Sequence, residues 1–348
     1  MKGLTEEELE SIRKELRQCK KPLFFYDDDA DGVTSFLLLY RWVKEGKGII
    51  VKSKPTVDES FARKVEELDP DKVFVLDMAV MTEEFVAACH RPIIWIDHHQ
   101  PLRLDNVKYF NPRKHVSDIV YPTSNICYDI VQQDLWLAMV GCVGDWHLPY
   151  FTKEFCKQYP DLLNADVKNP DDALFDSKIG KLVHIVSFLL KGDTKEVKKC
   201  VEMLGKVQSP YEILNQETDA GKYLVKKYEA LSHDYRKLLQ EAKKKAGKGK
   251  LLVFAYNDDR MSFTSELSNE LLHIHPDKLV IIARKKDGSM RMSLRCSWAN
   301  IPPMLDKALS GLQGRGGGHE HACGADVAAE QFDEFLQRLE KLADEEKK

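Results

Sequence analysis

The chain has 348 residues, 43% hydrophobic and 31% charged, with a formal net charge of −4. That length suffices for two ordinary domains and a sizeable core, and the balance is that of a globular protein. No uninterrupted apolar run approaches membrane-spanning length, and the polar opening MKGLTEEELESIRKEL is unlike a signal peptide, so no membrane association and a cytoplasmic setting are expected. The negative balance disfavours sequence-independent coating of duplex DNA, although cations bound to carboxylates would leave the remaining surface more positive. The eight cysteines (19, 89, 127, 142, 156, 200, 296 and 323) include no C-x-x-C pair. A zinc knuckle is disfavoured on that ground, and a disulfide framework by the cytosolic setting.

In chain order, Thr5 and Glu8 form a capping box ahead of a helix whose apolar line is Leu9, Ile12 and Leu16. PLFFY reads as a buried strand, and VTSFLLLYRWVKEG as a helix closed by Gly46. GIIVKS, KVFVLD and PIIWID are further strands, separated by the helices ESFARKVEEL and TEEFVAACH. YPTSNICYDIVQ and DLWLAMVGCVG read as buried helices. Apolar strands alternating with helices predict an α/β fold with a parallel sheet covered on both faces. Residues 166–249 read as a helical connector that ends in a long basic helix. Over 250–348 a smaller α/β block follows: strands KLLVFAY, KLVIIAR and SMRMSLRCS, a helix SFTSELSNELLHI, a Gly-rich loop, and a last helix through Phe332, Phe335, Leu336 and Leu339. The tail ADEEKK is expected to fray.

The carboxylates fall at one edge of this layout. Asp27, Asp29 and Asp31 follow the first strand, Asp77 ends VFVLD, Asp97 with His98 and His99 ends IIWIDHH, and Asp145 ends a buried helix in VGDWH. Open α/β sheets build their sites at the carboxyl ends of strands. Each feature alone has a plainer reading: DDD as a solvated turn, HH as a surface or core pair, Asp77 and Asp145 as helix caps. Their joint placement favours a site. Converging carboxylates repel one another unless cations neutralise them. Asp and His without Cys suit Mn²⁺ or Mg²⁺, and six or seven ligands suit two ions that share a carboxylate. Two such ions clamp a phosphoryl group and activate water, which predicts a two-metal phosphoesterase.

DDDADGVTS, VLDMA, IDHHQP and GDWH, in that order, resemble the motifs of the DHH phosphoesterase superfamily. GRGGGHEHACGA (Gly314 to Ala325) is similar to the GGGH signature of the DHH-associated C-terminal domain. The resemblance implies a catalytic domain over 1–165, the connector over 166–249, a substrate-binding domain over 250–348, and a site in the cleft between domains. It further implies one Mn²⁺ on Asp27, Asp29 and Asp77, and a second on Asp31, Asp77, His98 and Asp145, with Mg²⁺ as the other candidate ion. Asp77 bridges in that pattern, Asp97 orients His98, His99 lies near the scissile phosphate, and Asp28 has no role. In the second domain Gly316, Gly317, Gly318 and His319 would cradle a phosphate, with Arg295 as a further phosphate ligand. Ser265 and Asn269 would face the cleft or cap their helix; Arg315 and His321 are weaker candidates.

The expected activity is metal-dependent hydrolysis of single-stranded DNA or RNA by an exonuclease of the archaeal RecJ-like type. Cleavage of very short oligonucleotides or other small nucleotides is the first alternative. A non-catalytic replication scaffold is the second, disfavoured because every ligand position of the pattern is kept. Replication or repair proteins are the candidate partners.

Overall fold

A computed structural model describes residues 3–52, 56–257 and 261–346. Ser53, the last residue of the expected strand GIIVKS, and Lys347 and Lys348 of the expected frayed tail lie outside the described residues. The first strands are β1 (Pro22–Asp27), β2 (Lys47–Val51), β3 (Thr56–Val57), β4 (Lys72–Leu76), β5 (Val80–Met81), β6 (Ile93–Ile96) and β7 (Val107–Phe110). Five of them form one parallel sheet in the order β2-β1-β4-β6-β7, and β3 pairs with β5 in a small separate ribbon.

Strand alternation explains why these segments are apolar throughout. Phe24, Tyr26, Phe74, Leu76, Ile94 and Ile96 point into a core shared with the helices Ala30–Val43, Thr123–Val131 and Leu135–Gly144. Leu23, Phe25, Val73, Val75, Ile93 and Trp95 point the other way, into a core with Val65 and Phe85. Both faces are buried, so no polar alternation is left to read.

The chain leaves β1 for β2 on one side and then crosses to β4 on the other. The gap between the carboxyl ends of β1 and β4 is therefore a topological switch point, where doubly wound sheets bind ligands. Tyr26 pairs with Leu76 in register, so Asp27 and Asp77 emerge side by side.

The chain divides into units Met1–Tyr228 and Glu229–Lys348, with the boundary inside the helix Asp219–Lys243. The second unit holds β8 (Leu251–Asn257), β9 (Leu279–Lys286), β10 (Ser289–Arg295), β11 (Gly314–His319) and β12 (Ala322–Ala328). Their order is β11-β12-β10-β9-β8. Only β8 and β9 run parallel, joined by the crossover helix Thr264–Ile274.

Several expectations need correction. The helix expected to close at Gly46 ends at Val43, with Lys44 in the left-handed cap conformation at φ 59°. The expected Gly-rich loop is the edge strand β11, exposed along its whole length. Strands β7 and β12 and the helix Ile301–Leu309 were not expected. They are short or carry Pro, Gly and Ala, so their pattern is weak without the neighbours they pair with. All eight cysteines are free and buried. Among the described residues, no helix is long and apolar enough to cross a membrane.

Candidate functional site

Asp27 is the last residue of β1, and Asp29 caps the helix Ala30–Val43 by accepting from the Gly32 N–H at 2.8 Å. Gly32 is required for closeness rather than for its own φ: a Cβ there would lie 2.6 Å from the Asp27 carbonyl oxygen. Asp31 sits in the first turn and is 1% exposed. Its two oxygens accept the backbone N–H groups of Thr123 and Ser124 at 2.8 and 2.9 Å. The start of the helix Thr123–Val131 thus supplies a partial positive charge to a buried carboxylate.

Asp77 follows β4 with φ 56°, a conformation that Asp tolerates better than most residues. Its N–H bonds the Ile96 carbonyl, and its Oδ1 accepts from Thr123 Oγ1 at 3.2 Å. The helix after it is capped by Thr82, which removes the capping explanation for Asp77. Asp145 does end the helix Leu135–Gly144, but its carboxylate faces His98, with Oδ2 3.7 Å from Nδ1. On the other side of that ring, Nε2 lies 3.3 Å from Asp77 Oδ1 and 4.0 Å from Asp31 Oδ2.

The donor atoms of Asp27, Asp29 and Asp77 lie within 4.8 Å of one another, as do those of Asp31, His98 and Asp145, and of Asp77, His98 and His99. This donor set fits hard or borderline divalent cations. The electrostatics fit as well. Burial and then the Asp29 charge push Asp27 up to about 7. Burial followed by neighbouring carboxylates raises Asp77 and Asp145 well above the usual range. Burial lowers His98, so its ring is available as a neutral donor.

Asp97 corrects one expectation. It is fully buried, and its Oδ1 takes Nδ1 of His99 at 2.7 Å rather than a nitrogen of His98. Its Oδ2 accepts from the His99 N–H, Tyr109 Oη and Asn111 Nδ2 at 3.1, 3.0 and 3.1 Å. Burial opposes the charged form of His99, and the Asp97 hydrogen bond and charge outweigh it, so the His99 pKa is raised. Asp28, left without a role, is half-buried, and its N–H donates to Asp27 Oδ1 at 2.8 Å.

In the second unit, Arg295 lies on the inner strand β10. Its Nε donates to Asn269 Oδ1 at 2.6 Å, and Nη1 to the Leu294 and Cys323 carbonyls at 2.9 and 3.3 Å. Arg295, Ala322 and His319 stand in register across β10, β12 and β11, as do Ser293, Gly324 and Gly317. Arg295 and His319 therefore share one face, with backbones about 10 Å apart, two strand spacings. Leu294, Cys323 and Ala325 fill the opposite, core face. Ser265 does not cap its helix; its Oγ lies 3.4 Å from Ser293 Oγ. Arg315 stands opposite Asp326 on β12, and His321 Nδ1 bonds the Ala299 carbonyl at 3.2 Å.

Residues 23–154 match the model of the DHH family N-terminal domain, and residues 248–345 that of the DHHA1 domain. The chain belongs to the DHH superfamily. No curated protein sequence matches it. RecJ from Thermus thermophilus, solved with Mn²⁺, is 18% identical at a TM-score of 0.62, over 97% of this chain and 54% of that one. An exonuclease RecJ bound to manganese is 16% identical at a TM-score of 0.58, over 99% and 96%. A pGpG-specific phosphodiesterase, PggH from Vibrio cholerae, is 14% identical at a TM-score of 0.52, over 94% and 100%. The DHH chain thus spans little more than half of the Thermus RecJ chain, and at these identities the likeness is one of fold. Membership of the superfamily supports phosphoesterase chemistry.

Sequence reasoning missed Thr123, Ser124, Tyr109 and Asn111 in this DHH protein. A helix beginning directly after Pro122 is the one signal that was available for the first two. The DHHA1 glycines also divide by role. A Cβ on Gly317 would meet nothing within 4 Å, whereas one on Gly318, at φ 149°, would lie 2.4 Å from the Ala322 carbonyl oxygen. A Cβ on Gly316 would come 2.7 Å from Leu305 Cδ2. Gly318→Ala is therefore expected to destabilise the protein by about 1–3 kcal/mol, and Gly317→Ala by no more than about 0.5 kcal/mol. Chemical denaturation checks both; equal effects would show that the hairpin geometry does not distinguish the two positions.

Proposed function

We propose that this protein is a divalent-metal-dependent phosphodiesterase that acts as an exonuclease on single-stranded DNA or RNA. The observation that carries this reading is the meeting of the Asp27–Asp29–Asp77 and Asp31–His98–Asp145 donor groups at the switch point of the sheet. In this reading Asp27, Asp29 and Asp77 hold one Mn²⁺, and Asp31, Asp77, His98 and Asp145 hold the other, with Mg²⁺ as the alternative ion. Such ions supply Lewis acidity toward a phosphoryl group and lower the pKa of bound water.

The chain's own residues do the positioning. Asp31 is locked by two backbone N–H groups and keeps its orientation as substrate arrives. Asp97 holds Nδ1 of His99, so that Nε2 of a ring favouring its charged form is left to donate to a phosphate or leaving-group oxygen. In the DHHA1 unit, Arg295 is fixed through Nε and Nη1, and its Nη2 makes no hydrogen bond among the described residues. Arg295, His319 and the open position at Gly317 form the proposed phosphate-binding row, with Asn269 and Ser265 supporting it.

The test is digestion of 5′- and 3′-end-labelled DNA and RNA strands of about 2 to about 20 nucleotides with Mn²⁺, a span chosen to bracket a typical binding groove. Stepwise shortening of the longer strands is expected. A second reading, hydrolysis of dinucleotides and similarly short fragments, is favoured by the length match with PggH, which this chain covers to 100%. Activity confined to the shortest substrates would select it. If neither class is cleaved, both readings fall.

A further inference from the structure

We infer that Arg113 is a substrate-positioning residue, one that binds a non-bridging phosphate oxygen from the side of the segment that carries His98 and His99. The inference rests on the phosphodiesterase reading above and adds to it a residue that no motif contains.

The placement comes from the edge strand. β6 and β7 end in register at Ile96 and Phe110, so Asn111 emerges beside Asp97. Asn111 Nδ2 donates to Asp97 Oδ2 and to the His99 carbonyl at 3.1 and 3.0 Å, while its Oδ1 accepts the Arg113 N–H at 2.9 Å. The turn Pro112–Lys114 is thereby clamped to the segment that carries His98 and His99, with Pro112 buried beneath it.

The side chain is what stands out. Arg113 Nε is buried and has no hydrogen-bond partner among the described residues. Beside a crowd of carboxylates, a structural arginine would be expected to form an ion pair, yet Arg113 forms none among the described residues. Its neighbours behave differently. Lys114 bonds the Tyr109 carbonyl and lies 4.3 Å over the Tyr109 ring, and His115 Nε2 pairs with Glu8 at 2.9 Å. Of these three consecutive basic side chains, only that of Arg113 is left without a protein acceptor among the described residues. A planar fork with an unmet donor suits a tetrahedral oxyanion that arrives with the substrate.

The test uses the full chain with saturating Mn²⁺ and a single-stranded oligonucleotide that the wild type cleaves. Arg113→Gln is expected to lower kcat/KM by roughly 10²-fold, the usual scale for one lost transition-state donor, and Arg113→Lys to recover part of the loss. Inhibition by a product mononucleotide should weaken in parallel, while the Mn²⁺ titration midpoint stays within about twofold, since no ligand is removed. Two results would overturn the inference: wild-type kcat/KM in Arg113→Gln, or a loss fully restored by raising Mn²⁺, which would make Arg113 a counter-ion tuning metal affinity. An inactive wild type would instead bring down the phosphodiesterase reading itself, so the two failures are distinguishable.

Discussion

Asp77→Asn is expected to abolish Mn²⁺-dependent hydrolysis, lowering kcat by roughly 10³-fold or more. Asp77 belongs both to the group with Asp27 and Asp29 and to the group with His98 and His99, so one substitution removes a charge from both halves of the centre. The side chain is 1% exposed and is held by Thr123 Oγ1. Asparagine conserves the volume and is another residue that tolerates the left-handed backbone at φ 56°. Loss of activity with an unchanged far-ultraviolet circular dichroism spectrum would therefore report on ligation rather than on folding. Asp28→Asn is the control. It removes a neighbouring charge that lies outside all the donor groups, and activity should stay within about threefold, equivalent to about 0.7 kcal/mol. Full activity in Asp77→Asn would show that the reaction does not pass through this centre.

The second expectation concerns stability without metal. With a chelator present, thermal stability should fall as pH rises from about 4 to about 8, and excess Mn²⁺ should flatten or reverse that slope. The sign follows from Asp27, whose ordinary value of 3.8 is pushed up to about 7 by burial and then by the Asp29 charge. Between those two values the folded chain holds a proton that the unfolded chain has lost. The contribution is fully present below the unfolded value and disappears as pH climbs through the folded one. Asp77 and Asp145, also raised well above the usual range by burial and then by neighbouring carboxylates, add to the same slope. Divalent cations replace the protons and bind better as pH rises, so the metal-dependent gain in melting temperature should be larger at pH 8 than at pH 5. Scanning calorimetry with and without chelator measures both slopes. A chelated protein that is most stable at pH 8 would contradict the carboxylate crowding.

The buried strands of the first sheet were legible from residue order, because both faces are covered and continuous apolar runs such as LFFY and IIWI can satisfy nothing else. So was the placement of Asp27, Asp77 and Asp97 at the ends of those runs, since a charged residue closing an apolar run marks the point where the chain meets solvent or a site. What those carboxylates meet was settled only by packing. The order β2-β1-β4 brings Asp27 beside Asp77, a contact that depends on a register between strands some fifty residues apart. Asp97 turned to His99 rather than to His98 because Tyr109 and Asn111, arriving on the weakly patterned strand β7, fix its other oxygen. GRGGGH became a strand because β12 offered it a ladder, which no local glycine preference could reveal. Local sequence encodes burial and backbone freedom; a hydrogen-bond partner far along the chain is set only when the elements pack.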